Sequence, residues 1–271
     1  MTADEILAAI ASEDSELSDA AMRDVAHFTV GLFAADSDNT APTTAGTGTL
    51  VHLAGHHHIL TAAHVWEEIL SFAPLVGFTL KEGSDRQPCY DRRYIIPSVL
   101  AKPETNGWSE WGPDLALLTL PEVLVGLIEN YRVFYDLDAT RSTPKVDGAE
   151  LRFLMGAVDE YAVHRPTGVA GKIACFRMKF KDERHAIGDY DYIDLTEERH
   201  GALPKSFKGL SGGGLWREFI YPDPETTGVK HYRILEGVAF YELPSADTTT
   251  IRCHGPNSIV ECSKRYKVAL T

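Results

Sequence analysis

Apolar residues along the chain follow two different periods. Residues 3–13 and 18–26 have helical spacing, and Thr2 with Glu5 matches the signature of a capping box at a helix start. From Phe28 onward the pattern changes to short runs of β-branched and aromatic residues, separated by Gly, Pro, Asn and Asp. The main runs are FTVGLFA, GTGTLVHLAG, HHILTAAHV, DLALLTL, LRFLMGAV, KIACFRMKF, YDYIDL and RILEGVAFY. Many short strands at this spacing predict an all-β chain of barrels or sandwiches after a short helical extension.

Residues 143–150 are the best candidate for a linker between two β units. They are polar, contain Pro144 and Gly148, and divide the predicted strands about evenly. We therefore expect an N-terminal helical extension over residues 1–27, a first β unit over 28–142 and a second over 143–271. The extension is expected either to dock a partner or to pack on the first β unit.

Composition and charge limit the classes of partner. The 271 residues carry a formal net charge of −13 with scattered Lys and Arg, whereas nucleic-acid binding needs clustered cations. No apolar run approaches the roughly 20 residues that a membrane span requires. The first residues are acidic where a secretory signal is basic. The sequence therefore predicts a cytoplasmic protein that binds neither nucleic acid nor membrane.

The cysteines and histidines give no strong signal for a metal. The four cysteines lack the CxxC spacing of a zinc ribbon, and in a reducing compartment we expect Cys253 and Cys262 to be free thiols rather than a hairpin disulfide. In GHHHIL, His56 and His58 share a strand face with His52 opposite, which we interpret as a solvated turn. We expect no metal and no organic cofactor.

Three stretches carry candidate chemistry. HILTAAHV leads a β-branched strand into His64, Asp114 opens an apolar strand in WGPDLALLTL, and Ser211 is surrounded by glycines in FKGLSGGGLW. A serine hydroxyl becomes a good nucleophile when a histidine takes its proton and a buried carboxylate holds that histidine in the right tautomer. The residues are far apart in sequence, so they are expected to meet in a cleft between two units.

The glycines around Ser211 have a physical reason in this scheme. The backbone amides of Gly209 and Ser211 would have to point into one small space to bind a developing oxyanion, and residues without a Cβ permit that geometry. Each such donor stabilises the transition state by about 3 kcal/mol. The segment is therefore interpreted as an oxyanion hole around a nucleophile.

LTAAHV, DLALLTL and GLSGGG resemble, in this order, the three motifs of the chymotrypsin-like (trypsin-like) serine protease family. The resemblance implies two six-stranded antiparallel β-barrels and peptide-bond hydrolysis through an acyl-enzyme intermediate. It also implies that His64 is the general base, that Asp114 orients it, that Ser211 is the nucleophile, and that the Gly209 and Ser211 amides form the oxyanion hole.

The chain departs from the secreted branch of this family in a consistent way. Val65, Gly46 and Phe207 stand where secreted members have disulfide cysteines, which resembles the disulfide-free intracellular type such as the bacterial HtrA proteases. Leu210 stands where digestive members have an Asp that pairs with a newly released N-terminus. Activation by such trimming is therefore not expected, and control would act through loop ordering or a regulatory protein partner.

The resemblance also implies which residues bind a protein or peptide substrate. Lys205, six positions before the nucleophile, falls at the base of the primary specificity pocket. A buried Lys205 would favour an acidic substrate side chain, and the alternative is that its side chain extends into solvent. The strand GVAFYE resembles the edge that pairs with substrate backbone, which places Tyr241 and Glu242 near the pocket mouth.

Two other functions remain as alternatives. GLSGG also fits the G-x-S-x-G elbow of α/β-hydrolases, which would make the chain an esterase with Asp247 and His254 after the serine and a helix directly after the elbow. The three glycines make a poor helix start, so this alternative is weaker. The other alternative is a protease-fold binding or regulatory module that becomes active only with a partner.

Overall fold

β-strands dominate the structure, as the period-2 runs predict. The computed structural model describes residues 1–12, 15–36, 43–84, 86–103, 111–139, 147–165, 168–177, 179–198, 203–245 and 247–270. Within these ranges the strands form two large, mainly antiparallel sheets and one two-stranded hairpin. Five α-helices accompany them in the same ranges, which is more helix than the sequence patterns predict.

The first sheet takes its strands from the N-terminal half of the chain. In spatial order the strands run β5-β4-β1-β2-β3-β7-β6, and β8 pairs with β2 in parallel. Their bounds are β1 Thr29–Ala35, β2 Thr43–Leu53, β3 His56–Thr61, β4 Leu75–Thr79, β5 Cys89–Asp91, β6 Ile96–Ala101, β7 Leu115–Thr119 and β8 Tyr135–Asp136.

The second sheet is built from the C-terminal half. Its spatial order is β12-β9-β15-β16-β17-β14-β13, and β10 with β11 forms the separate hairpin. The bounds are β9 Ala149–Ala157, β10 Val163–Arg165, β11 Gly168–Ala170, β12 Ile173–Phe176, β13 Lys179–Ile187, β14 Tyr190–Glu198, β15 Gly214–Pro222, β16 Val229–Pro244 and β17 Thr248–His254.

The predicted count of six strands per unit is wrong. The described residues give eight strands in the first sheet and seven in the second. β5 and β8 are only three and two residues long, too short to give an alternating pattern. The predicted boundary at 142–143 lies outside the described residues, so the division into units stays a prediction.

Helices lie at both ends of the chain and between strands. α1 and α2 match the two predicted helices, and the predicted capping box is confirmed: the Glu5 amide donates to Thr2 Oγ1 (3.2 Å) and the Thr2 amide donates to Glu5 Oε2 (2.8 Å). The C-terminal helix contacts strands of both sheets. The bounds are α1 Ala3–Ala11, α2 Glu16–Ala26, α3 Ala63–Phe72, α4 Glu122–Glu129 and α5 Pro256–Ala269.

The N-terminal extension packs on the second sheet. α1 contacts β9 and β15, α2 contacts β9 and β12, and the Arg233 guanidinium of β16 donates to Asp24 of α2 at 3.1 Å. The expectation that the extension packs on the first β unit is therefore wrong. Because α2 leads directly into β1 of the first sheet, the extension connects the two sheets.

One apolar cluster draws on both sheets. Leu50 and Leu117 of the first sheet and Phe153 and Trp216 of the second all belong to it, and each is almost completely buried. The burial of this shared cluster fixes the two sheets against each other. The loops at their junction are held in place by the same packing.

Truncation of Ile6 tests how firmly the extension is docked. Ile6 of α1 is fully buried, so Ile6→Ala should lower the free energy of unfolding by about 2–5 kcal/mol. Leu7→Ala on the same helix is the matched control, because Leu7 is 50% exposed and its truncation should change stability by less than about 0.5 kcal/mol. Urea denaturation measures both, and equal effects would show that α1 is not docked as described.

Candidate active site

The His64 and Asp114 side chains meet at the ends of β3 and β7, two inner strands of the first sheet. β3 and β7 are antiparallel neighbours with Thr61 opposite Ala116, so the residues just after β3 and just before β7 lie together. His64 Nδ1 is 2.5 Å from Asp114 Oδ2. The Asp114 side chain is 3% exposed and that of His64 is 25% exposed, so the carboxylate is buried and the ring reaches the surface.

Asp114 also replaces a missing helix cap. The first amides of a helix have no acceptor within the helix, and Ala62, the residue at the cap position of α3, has no side-chain acceptor. The His64 amide instead donates to Asp114 Oδ1 at 2.9 Å. One carboxylate therefore fixes both the backbone and the ring of His64.

The geometry sets the tautomer of His64. A carboxylate only accepts hydrogen bonds, so Nδ1 carries the proton that lies between the two groups. Nε2 is then the basic nitrogen of the neutral ring. This is the form in which a histidine removes a proton from a hydroxyl.

Ser211 lies in a turn before β15 whose shape depends on glycine. Gly209 has φ +90° and Gly212 has φ +91°, a region that residues with a Cβ rarely adopt. A Cβ on Gly212 would also lie 1.9 Å from the Thr47 carbonyl oxygen. The glycines on either side of Ser211 are therefore required by the backbone.

Buried threonines of the first sheet hold this turn in place. Thr47 Oγ1 donates to the Gly209 carbonyl at 2.7 Å, and Thr49 Oγ1 donates to the Gly212 carbonyl at 3.1 Å. The Thr47 amide donates to the Ser211 carbonyl at 2.8 Å. Since the threonines belong to β2 and the turn precedes β15, these bonds join the two sheets at the serine.

Gly46 brings Ser211 close to the His64 helix. A Cβ on Gly46 would lie 2.5 Å from Val65 Cγ2 and 2.9 Å from the Ser211 carbonyl oxygen. Val65 follows His64 directly in α3. The absence of a side chain at Gly46 therefore permits the Ser211 turn and helix α3 to approach each other.

The amides proposed for the oxyanion hole differ from their neighbours in having no acceptor among the described residues. Within the residues that the structure describes, neither the Gly209 nor the Ser211 amide donates to a protein acceptor. The neighbouring amides do: that of Leu210 donates to Phe207 O and that of Gly212 donates to Ala239 O. The Ser211 hydroxyl donates to the Phe240 carbonyl at 3.4 Å, a long hydrogen bond.

The residues predicted to bind substrate separate into two groups. Tyr241 and Glu242 line a small cavity of about 20 Å³ beside Ser211, with room for little more than one water molecule. Glu242 Oε2 accepts from the Phe207 amide at 2.9 Å. Lys205 is exposed instead of buried, and its backbone amide donates to Glu160. Of the two positions expected for Lys205, the structure therefore shows the solvent-exposed one.

The structure contradicts the esterase alternative. The segment after the serine elbow is strand β15 and not a helix. His254 is fully buried and its Nε2 accepts the Asp114 amide at 3.0 Å, while Asp247 is exposed. Burial lowers the pKa of His254 to about 3, so the ring is neutral at physiological pH.

The histidine-rich hairpin has one cluster that sequence analysis missed. His52, Asp136 and Asp138 place potential ligand atoms within 4.8 Å of one another, because β8 pairs with β2. Lys267 Nζ lies 2.7 Å from Asp138 Oδ1, and this ion pair lowers the pKa of Asp138. Lys267 therefore already neutralises one of the two carboxylates of the cluster. His58, on the same hairpin, is buried, and its Nδ1 shares a hydrogen bond with Thr119 Oγ1 at 3.0 Å.

All four cysteines are free thiols, as expected for Cys253 and Cys262. Burial raises the pKa of Cys175 and of Cys262 to about 12, so neither is a thiolate at physiological pH. None of the described helices is long and apolar enough to cross a bilayer.

Comparisons with known proteins give no family assignment. The sequence matches no family model and no curated protein. The chain is similar to a solved structure from work described as "Aromatic interactions drive the coupled folding and binding of the intrinsically disordered Sesbania mosaic virus VPg protein". That match has a TM-score of 0.41 and 13% identity, and it covers 84% of this chain and 91% of the other. Such a likeness assigns neither a family nor an activity.

The threonine contacts are the main part of the site that sequence analysis missed. Thr47 and Thr49 share one face of β2, and Thr61 Oγ1 donates to the Thr47 carbonyl at 2.6 Å. The available signal was two threonines at alternate positions of one strand, which places both on the same face. Their partners are backbone carbonyls more than 150 residues away, which no local pattern reveals.

Thr47→Val tests the link between the sheets. Thr47 Oγ1 donates to Gly209 and accepts from the Ala157 amide at 2.9 Å, so its loss leaves buried groups unpaired and should lower stability by about 1–3 kcal/mol. Thr29→Val is the matched control. Thr29 is equally buried, and its hydroxyl has no partner in the described structure, so valine should be neutral or stabilising. Chemical denaturation compares the two, and an equal loss would contradict the assigned role.

Proposed function

We propose that this chain is a serine endopeptidase that cleaves protein or peptide substrates through an acyl-enzyme intermediate. The observation that carries the proposal is the buried Asp114 carboxylate, which holds His64 by its amide and by Nδ1 next to the turn that presents Ser211. Two hydrogen bonds to one carboxylate restrict the histidine to one tautomer and one orientation. The His64 side chain is 25% exposed, so part of the ring is accessible from solvent.

The proposed mechanism assigns one task to each group. His64 Nε2 takes the proton from Ser211 Oγ as that oxygen attacks the peptide carbonyl, and Asp114 stabilises the imidazolium that forms. The amides of Gly209 and Ser211 bind the oxyanion of the tetrahedral intermediate. His64 then donates its proton to the leaving amine, and water hydrolyses the acyl-enzyme by the same sequence of proton transfers.

The proposal includes the finer architecture, in which each large sheet curves into an antiparallel β-barrel and the site lies between them. Support comes from the distribution of strands, since the first sheet uses residues 29–136 and the second uses 149–254. His64 and Asp114 belong to segments that flank strands of the first sheet. Ser211 precedes a strand of the second.

A partner-activated form is the second candidate. The Ser211 hydroxyl donates to Phe240, and the neighbouring cavity is nearly filled, which favours a resting arrangement that a partner or substrate would rearrange. Leu210 is buried in an apolar cluster. Activation through an ion pair at that position is therefore not part of either candidate.

The proposed substrate preference is a small apolar side chain on the N-terminal side of the scissile bond. Apart from Glu242, the walls of the cavity beside Ser211 are mainly apolar, including Leu210, Ala239 and Ile251. An acidic side chain would meet the Glu242 carboxylate and not the exposed Lys205. A long side chain would exceed the available space.

Active-site labelling tests the proposed activity. A fluorophosphonate probe should modify Ser211 in the folded protein, and peptide mass spectrometry should locate the adduct there. Ser211→Ala should abolish this labelling, while His64→Ala and Asp114→Asn should slow it by about 100- to 10,000-fold. Ser71→Ala, which removes an exposed serine of α3, is the control and should label at the wild-type rate. A folded wild type that never labels would contradict a constitutive protease and favour the partner-activated form.

A series of peptidyl phosphonates tests the substrate preference. Probes that differ only in the residue next to phosphorus should label Ser211 about 10- to 200-fold faster with an alanine analogue than with a leucine analogue, because the cavity is small. An aspartate analogue should be slow in the wild type and equally slow in Lys205→Ala. Faster labelling by the aspartate analogue, lost in Lys205→Ala, would instead support a cationic pocket.

A further inference from the structure

His254 lies at the end of β17, on the far side of Asp114 from His64. The ring is fully buried and surrounded by aromatic side chains. Its centroid lies 4.4 Å from that of Phe240 in a stacked arrangement, and 5.2 Å and 5.9 Å from those of Tyr192 and Tyr190. This environment is apolar enough to keep the imidazole neutral, and burial lowers the pKa of His254 to about 3.

The hydrogen bond to Asp114 determines the His254 tautomer. The partner of Nε2 is the Asp114 backbone amide, 3.0 Å away, and a backbone amide only donates. Nε2 must therefore be the unprotonated nitrogen, and Nδ1 carries the proton. In the described structure this buried Nδ1 has no hydrogen-bond partner.

An imidazole with one buried, unpaired N–H is a costly choice for an apolar site. A leucine or phenylalanine would fill the space between the aromatic rings without leaving a polar hydrogen unsatisfied. What such a side chain lacks is an acceptor for the Asp114 amide. The feature of His254 that an apolar residue cannot replace is therefore the Nε2 acceptor for the Asp114 amide.

His254 also contacts Phe240. β16 pairs with β17 through Ala239 and Tyr241, and Phe240 is the extra residue of a bulge between them. Its ring stacks on His254, and its carbonyl accepts the Ser211 hydroxyl. His254 thus contacts both the segment that carries the carboxylate and the residue that binds the serine hydroxyl.

We propose that His254 is a positioning residue, which holds the main chain of Asp114 through Nε2 and the Phe240 bulge through its ring. The carboxylate and the serine then keep a fixed spacing across the two sheets. This inference deepens the proposed protease function, on which its catalytic consequence rests. The proposed hydrogen bonds exist whether or not the chain cleaves peptides, so they are tested separately.

The test compares His254→Leu with His254→Gln in the full-length protein. Leu removes the acceptor, whereas Gln retains one near the position of Nε2. Two properties are measured: the rate of fluorophosphonate labelling, and the far-downfield proton resonance expected for the short His64 Nδ1–Asp114 bond. His254→Leu should lose the resonance and label about 100-fold more slowly, because a small displacement of a catalytic group has an effect of this size. His254→Gln should keep the resonance and label within a few-fold of wild type.

His58→Leu is the matched control. His58 is also fully buried, and burial lowers its pKa to about 4, but its partners are Thr119 and Leu53. This variant should lower the melting temperature and leave both the resonance and the labelling rate unchanged. A folded His254→Leu protein with the wild-type resonance and rate would overturn the proposal.

The outcomes separate the two proposals. Suppose that the wild type shows the resonance, that His254→Leu lacks it, and that the wild type never labels. The positioning role then stands and the protease function fails. If His254→Leu does not fold, the ¹⁵N chemical shifts of the His254 ring in the wild type still determine its tautomer. An unprotonated Nε2 and a protonated Nδ1 at His254 support the proposal, and the opposite tautomer would refute it.

Discussion

The arrangement of the candidate site depends on a single buried carboxylate. Asp114 accepts the backbone amide of His64, in the first turn of α3, and also the ring N–H of the same residue. A charged acceptor at the start of a helix is favoured by the helix dipole and satisfies an amide that would otherwise be unpaired. The same interaction that starts the helix therefore orients the ring, and folding and chemistry share one contact.

The serine is positioned by a different kind of interaction. Its turn has no regular secondary structure of its own and depends on hydroxyl-to-carbonyl bonds from Thr47 and Thr49. A buried hydroxyl without a hydrogen-bond partner is energetically costly, so only the relative position of the sheets that forms these bonds is favourable. The apolar cluster that spans both sheets supplies the attraction.

The sequence predicted the parts of this arrangement that are encoded locally. The two N-terminal helices and the predominance of strands follow from period and capping. The proximity of His64 to Asp114 was expected from the chemistry that a serine nucleophile requires and from the motif resemblance, and the register of β3 with β7 supplies its structural basis. Helix α5 was not predicted, although Ile259, Cys262 and Tyr266 have helical spacing. The exposure of Lys205 and the role of His254 depend on the path of loops and on contacts between distant segments. Neither leaves a pattern in the neighbouring sequence.

The docking of α1 and α2 has a consequence for how the chain is made. These helices precede both sheets in the chain, but the strands that cover Ile6 and Ile10 belong to the second sheet and are synthesised only after the whole first sheet. During synthesis the apolar face of α1 therefore has no surface to bury against, and its contacts are among those of greatest sequence separation. The extension is therefore expected to fold late, when it packs against the second sheet. Until then its apolar face stays exposed on the nascent chain and accessible to chaperones.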